Sequence, residues 1–208
     1  MDSAFDAIAA DARSCRICRD TPTGPVLPHE PRPVLSGRAS SPILIVGQAP
    51  GTRVHASGKP FTDPSGDRLR DWMGIDETLF YDESLVAIIP MGFCFPGLDA
   101  RGGDLPPRKE CAPQWRSGLM AALDHVELIV AVGMYALKWH LGADCGRSLA
   151  ETIAQWRQHT ARKTPLLALP HPSWRNQGWL KRHPFVAAEV IPDLRTRVET
   201  IVRVHSSR

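Results

Sequence analysis

No apolar run in this 208-residue sequence reaches the roughly 20 residues that a helix needs to cross a bilayer. A membrane-spanning segment is therefore not expected. The first residues, Met1-Asp2-Ser3-Ala4-Phe5-Asp6, are acidic and lack the basic-then-apolar pattern of a secretory signal. A cytoplasmic protein is expected, and its five cysteines are not expected to form structural disulfides. There is no internal repeat, no sign of a second domain and no strong charge imbalance. The net charge is +3 with a pI near 8.7, which permits a nucleic-acid partner without requiring one. The basic side is mostly arginine, whose planar fork suits phosphate. Hydrophobic residues at 43% and charged residues at 23% fit one α/β domain with a substantial core.

The stretch around which the rest is arranged is Leu44-Ile45-Val46-Gly47-Gln48-Ala49-Pro50-Gly51. It is a short β-branched apolar run that stops in a Gly/Pro loop, as a buried strand entering a ligand-approaching turn would. Ahead of it, Phe5–Ala12 reads as a short helix leading into Cys15-Arg16-Ile17-Cys18, and residues 21–41 form a long irregular connection rich in Pro, Gly and Ser. This gives a loop-rich, cysteine-bearing segment 1–41 and a core 42–208 within one domain. Beyond the first strand, residues 55–66 read as loop and a helix begins near Gly66 with Leu69, Trp72 and Met73 on one face. Further strands are expected at 85–89, 128–132 and 166–169, with helices over 109–122, 134–141 and around 149–156. A final helix spans 185–202, bent at Pro192.

Strands alternating with helices indicate a parallel sheet covered on both faces. In such sheets ligands bind beyond the carboxyl ends of the strands. Three chemistry-bearing loops, Gly47–Gly51, Pro90–Cys94 and His171–Asn176, each follow a different strand, so parallel topology brings them to one edge.

Cys15 and Cys18 form a C-x2-C pair, Cys94 and Cys111 lie further on, and Cys145 reads as a small buried hydrophobe. The tight pair does not follow a strand, against a thioredoxin-like site, and there is no second tight pair for a zinc ribbon. Four thiolates in two loop-borne pairs suit either zinc or a [4Fe–4S] cluster, and spacing alone does not choose.

Taken together these residues resemble the uracil-DNA glycosylase superfamily, in particular its iron–sulfur branches. Val46-Gly47-Gln48-Ala49-Pro50-Gly51 followed by Gly58-Lys59-Pro60-Phe61 is similar to the family's first motif and its G-x-P-F continuation. The four-cysteine pattern is similar too, and Leu169-Pro170-His171-Pro172-Ser173 resembles the second motif, H-P-S. The resemblance implies a three-layer αβα sandwich with a four-stranded parallel sheet. It implies a structural [4Fe–4S] cluster on Cys15, Cys18, Cys94 and Cys111, and hydrolysis of the bond between a damaged base and deoxyribose in DNA, by a monomer. His171 matches the donor to the departing base's O2, and Phe61 the aromatic on which the flipped base stacks. Backbone groups around Gly47, Gln48 and Ala49 enclose the base, Ser173 touches phosphate, and Trp174, Arg175 or Asn176 wedges into the vacated stack.

The chain departs from the family twice. Known branches carry Asp two places after the motif glycine or Glu directly after it; here those positions are Ala49 and Gln48. Gln48 can position a water but cannot act as a base. Another branch places an Asp in a motif similar to F-T-G-D-A-S-G, and Phe61-Thr62-Asp63-Pro64-Ser65-Gly66 is one residue shorter. Asp63 is therefore expected to steady the sugar cation and orient water, with Asp67 in reserve. The family's base-reading Asn, four residues before the third cysteine, is Pro90 here. Recognition is then expected from the backbone of Met91 and Gly92, or the preferred base is not uracil. Two alternatives stay open: a non-catalytic binder of single-stranded or damaged DNA, and a zinc-stabilised enzyme acting on a nucleoside or base.

Overall fold

A computed structural model describes residues 3–206. Met1 and Asp2, part of the N-terminal pattern read above, lie outside them. The strands are β1 (Ile43–Val46), β2 (Val86–Ile88), β3 (Leu128–Val132) and β4 (Leu166–Leu169). They pair in the order β2-β1-β3-β4, every pair parallel, with Ile43 opposite both Val86 and Leu128 and Ile129 opposite Leu166. Helices flank the sheet, making the expected three-layer αβα sandwich. β1, β2 and β4 are buried along their whole length, which is why their sequences are continuous apolar runs rather than alternating ones.

The helices are α1 (Ala4–Arg13), α2 (Ile17–Asp20), α3 (Thr52–Ser57), α4 (Pro64–Met73), α5 (Glu77–Phe80), α6 (Ser117–Ala121), α7 (Met134–Leu141), α8 (Leu149–Ala154), α9 (Trp156–Thr160), α10 (Gln177–Arg182) and α11 (Ile191–Ser206). Ser3 opens α1 with a reciprocal capping box to Asp6. α1 buries Phe5, Ala9 and Ala12 in the common core. The irregular segment that follows is docked: Ser36 exchanges hydrogen bonds with Ile88 on the free edge of β2, at 3.0 and 2.8 Å, and Leu27, Val34 and Leu35 are buried.

The structure corrects two sequence expectations. Part of the stretch read as loop is helix α3, whose single buried residue, Val54, offers no periodicity to detect. The helix expected over 109–122 starts as a π-helical turn, Ala112–Arg116, where Pro113 has no N–H to donate. A second π-helical turn, Val186–Val190, sits just ahead of Pro192, so the interruption falls before the proline. Among the described residues no helix is long and apolar enough to cross a membrane.

Candidate active site

The carboxyl ends of β1, β2 and β4 deliver Gly47–Gly51, Pro90 and His171 to one cavity, which Phe61, Asp63, Ser65 and Asp104 complete. It encloses about 70 Å³. That is several water-sized spheres of about 10–15 Å³ each, room for a single heterocyclic ring.

His171 is fixed by its own loop. The Ser173 backbone N–H donates to His171 Nδ1 at 3.2 Å, and Asn176 Nδ2 donates to the His171 carbonyl at 2.7 Å. An Nδ1 that accepts carries no proton, so the neutral ring bears its hydrogen on Nε2. Burial holds the imidazole below its ordinary pKa, against the opposing pull of Asp63 and Asp104. The result is a neutral N–H donor in the cavity wall. Asn176 is thereby committed to holding the His171 loop rather than to a wedge.

Asp63 is the N-cap of α4, and Pro64 occupies the first helical position. Its Oδ1 accepts from Ser65 Oγ at 2.6 Å and from the Gly66 N–H at 3.2 Å, so the residue is a helix cap and a cavity-lining carboxylate at once. Asp67 instead pairs with Arg70 and is largely exposed, outside the cavity lining.

Phe61 has φ of 55°, a strained conformation for a bulky residue. Its carbonyl is held by Tyr81 Oη at 3.2 Å and Arg70 Nη1 at 3.3 Å. Its ring meets Phe80 edge-on at 6.0 Å and lies over Gly47, where a Cβ would sit 3.3 Å from Phe61 Cζ. A Cβ at Gly66 would fall 1.8 Å from the Phe61 carbonyl oxygen. Both glycines thus leave room for Phe61, Gly47 for its ring and Gly66 for its backbone carbonyl.

Gln48 lines the cavity and its Nε2 reaches the Leu105 carbonyl at 3.5 Å. The N–H groups of Met91 and Gly92 donate to the carbonyls of Gly47 and Gln48, each at 2.9 Å. Both residues sit behind the cavity wall, so their N–H groups are spent on joining two loops and are not free to read a base. Asp104, unmarked in the sequence reading, belongs to a small hairpin. Asp99 and Gly103 pair at 2.8 Å, and Asp99 Oδ1 accepts from the N–H groups of Arg101 and Gly103. No residue pattern announced it; only the folding of the 97–105 hairpin back over Gly51 brings it in.

Beside the cavity runs an open groove sharing Asp63, Asp104 and His171 and continuing along Arg53, Ser173, Trp174 and Arg175. Trp174 is 70% exposed, with the Arg175 guanidinium 5.9 Å from its ring centroid. Ser173 Oγ accepts from the Arg175 N–H at 3.3 Å.

The four cysteines lie near enough to one another to interact electrostatically. Burial first, and then the neighbouring thiols, push Cys94 and Cys111 up to about 12; Cys15 and Cys18 act on both. The Phe93 N–H donates to Cys111 Sγ at 3.3 Å. Four thiols, Cys18 buried and the other three half-buried, with an N–H···S bond on one of them, have the donor chemistry of an iron–sulfur or zinc site. Among the described residues, no three His, Cys, Asp or Glu side chains close on a single ion. Cys145 stands apart, half-buried 3.7 Å from Thr152 Oγ1.

Behind Cys111, Arg116 is fully buried. Its Nη1 donates to the carbonyls of Ile89 and Pro90 at 2.6 and 2.9 Å, and its Nη2 lies 3.0 Å from His140 Nε2. Burial brings Arg116 down to about 10. Burial first, and then Arg116, brings His140 down to about 4. His140 is therefore neutral and accepts.

The sequence profile of the uracil DNA glycosylase superfamily matches residues 36–195. That span contains the groove, the second cysteine pair and all of the cavity lining but Val34, and leaves out Cys15 and Cys18. Both motif loops stand on one edge of the four-stranded sheet, and the match covers most of the chain, which belongs to the uracil DNA glycosylase superfamily.

Proposed function

We propose that this chain is a monofunctional DNA glycosylase that removes a deaminated base, uracil first, from DNA. The observation that carries the reading is the His171 tautomer: a neutral imidazole, protonated on Nε2 because Ser173 N–H occupies Nδ1, lining a cavity sized for one ring. A base must leave the stack to reach such a cavity. Breaking the bond from C1′ to the base nitrogen puts negative charge on the base and positive charge on the sugar. The Nε2–H donor stabilises the first; a fixed donor of this kind is worth on the order of 100-fold or more in rate. Asp63, held by Ser65 and Gly66, meets the second. Phe61 offers its ring to the flipped base, and Gln48 is the side-chain amide placed to read a base edge.

Strand cleavage through an imine would need a lysine at the reacting carbon. No lysine is among the cavity-lining residues; Lys59, the motif lysine, pairs with Glu77 at 2.9 Å and lies over the Tyr81 ring. Trp174, exposed beside Arg175, suits the wedge, and the arginine-lined groove suits single-stranded or damaged DNA. Cys15, Cys18, Cys94 and Cys111 would hold a [4Fe–4S] cluster. When bound it supplies a cross-link between the N-terminal segment and the loops after β2, with no part in the hydrolysis.

The test is excision from single-stranded oligonucleotides containing uracil, hypoxanthine or xanthine, followed by alkali, beside His171→Ala and Asp63→Asn proteins. Alkali-labile sites made by the wild type and lost with His171→Ala support the reading and name the base. Full activity in Asp63→Asn removes that residue from the mechanism. DNA bound but no base released by the wild type turns the reading to a non-catalytic binder. Iron and visible absorbance in the purified protein support the cluster, and stoichiometric zinc replaces it.

A further inference from the structure

The first-motif loop supplies no acid, yet the cavity holds two carboxylates, and they are not equivalent. Asp63 spends its Oδ1 on two hydrogen bonds that cap α4. The Asp104 carboxylate receives no hydrogen bond from the described residues. Its hairpin is held instead by the Asp99 carboxylate and by Leu105 N–H to the Gly97 carbonyl at 2.9 Å. It reaches over the turn at Gly51, where a Cβ would stand 3.4 Å from Asp104 Oδ2. It faces both His171 and Asp63, interacting with each electrostatically. It lines the cavity and the groove together, at their junction.

Resting on the glycosylase reading, we propose that Asp104 is the general base of the hydrolysis, taking a proton from the water that attacks C1′. The water oxygen bonds to C1′ as the bond to the base breaks. The bonding pair leaves with the base, whose charge His171 holds. One water proton passes to the Asp104 carboxylate and from there to the base anion or solvent. The products are a free base and a sugar with a hydroxyl at C1′. Asp63, tied by its cap bonds, stays beside the sugar. A base must be free to accept a proton, and of the two carboxylates only Asp104 has no donor already seated on it. Burial raises Asp104 above the ordinary carboxylate range, with His171 and Arg175 opposing. Activity therefore falls on the acid side as the pH drops through that raised value.

The experiment uses the full chain and the base that the wild type excises, in single-turnover rate measurements from pH 4 to 8. It compares the wild type with Asp104→Asn, Asp104→Ala and His171→Ala, and measures oligonucleotide affinity alongside. Asp104→Asn should lose about 100-fold in rate, within the range of a removed general base. It should keep or improve its affinity, since a negative charge has gone. The acid limb should vanish from its residual rate, and formate should restore part of the Asp104→Ala rate. The assignment is overturned by an Asp104→Asn rate near the wild type while His171→Ala is inactive. It is equally overturned by a loss that leaves the acid limb in place and does not respond to formate. A wild type that releases no base from any oligonucleotide is a different failure: it removes the glycosylase reading and this assignment with it.

Discussion

Adding one methyl group at Gly66 pits two rules against each other. Gly66 is the third residue of α4, and alanine in a helix is ordinarily favoured over glycine by about 1 kcal/mol. A Cβ there, however, would meet the Phe61 carbonyl oxygen at 1.8 Å and Phe61 Cβ at 2.9 Å. The oxygen belongs to backbone already strained at φ 55° and held by Tyr81 and Arg70, so it cannot swing aside as the end of a flexible side chain would. Overpacking of this kind costs about 1–3 kcal/mol. Disturbing the Gly66 N–H bond to Asp63 Oδ1 weakens a cap worth about 1 kcal/mol. The net expectation for Gly66→Ala is destabilisation by about 2 kcal/mol, or roughly 4–8 °C in melting temperature for a chain of this size. Excision should fall further than stability accounts for, because Phe61 and Asp63 both move in the cavity. Urea unfolding of the two proteins, read by circular dichroism, measures the first effect; excision at a temperature where both are folded measures the second. A Gly66→Ala midpoint equal to or above the wild type would refute the reasoning, since propensity would then have outweighed the contact.

His171→Ala should reduce excision by about 100-fold or more while oligonucleotide binding along Trp174 and Arg175 persists, which gel-shift titration checks. Cys111→Ser should strip iron and visible absorbance from the protein and Cys145→Ser should not, as metal analysis of the two would show. His140, held near 4 in the folded chain against about 6.5 when unfolded, binds its proton more readily in the unfolded state. Acid therefore favours unfolding, and up to about 3 kcal/mol of stability is lost progressively as pH falls from 6.5 to 4; His140→Gln should flatten that part of the stability profile in denaturant titrations.

The layout of strands was legible because a parallel sheet buries both faces and so writes each strand as an unbroken apolar run: Ile43–Val46 and Leu166–Leu169 need no partner to be recognised. Helix α3 was not legible, since six residues with one buried side chain carry no period. His171 and Phe61, which line the cavity, stood out in the sequence because they follow strand ends or sit in spaced motifs. The spending of the Met91 and Gly92 N–H groups on Gly47 and Gln48 was invisible, because hydrogen-bond pairing between loops leaves no mark on side-chain identity. The arrival of Asp104 in the cavity was invisible for a related reason. It lies in a Gly/Pro-rich stretch whose fold is set by the Asp99 turn, and its value comes from where the hairpin lands.

The loop that lacks the motif acid is held in place through its backbone. The Gly47 and Gln48 carbonyls accept from Met91 and Gly92, and the carbonyls of Ile89 and Pro90 accept from Arg116. The loops after β1 and β2 are thereby locked to each other and to the turn that follows Cys111. A cation buried without a carboxylate partner is costly, and Arg116 sits there with its Nε unpartnered among the described residues. Of the groups acting on its charge, the Cys111 thiol is the one whose ionisation favours it. The rear wall of the cavity is thus a braced backbone frame, and the polar side chain it sends into the cavity, Gln48, is an amide rather than an acid. Carboxylates can enter only from the front, from the cap of α4 at Asp63 and from the hairpin at Asp104. In the proposed reaction two carboxylates and one neutral N–H donor surround a bond that breaks into a sugar cation and a base anion. That charge pattern suits the broken state better than the intact substrate, which is what a hydrolytic site requires.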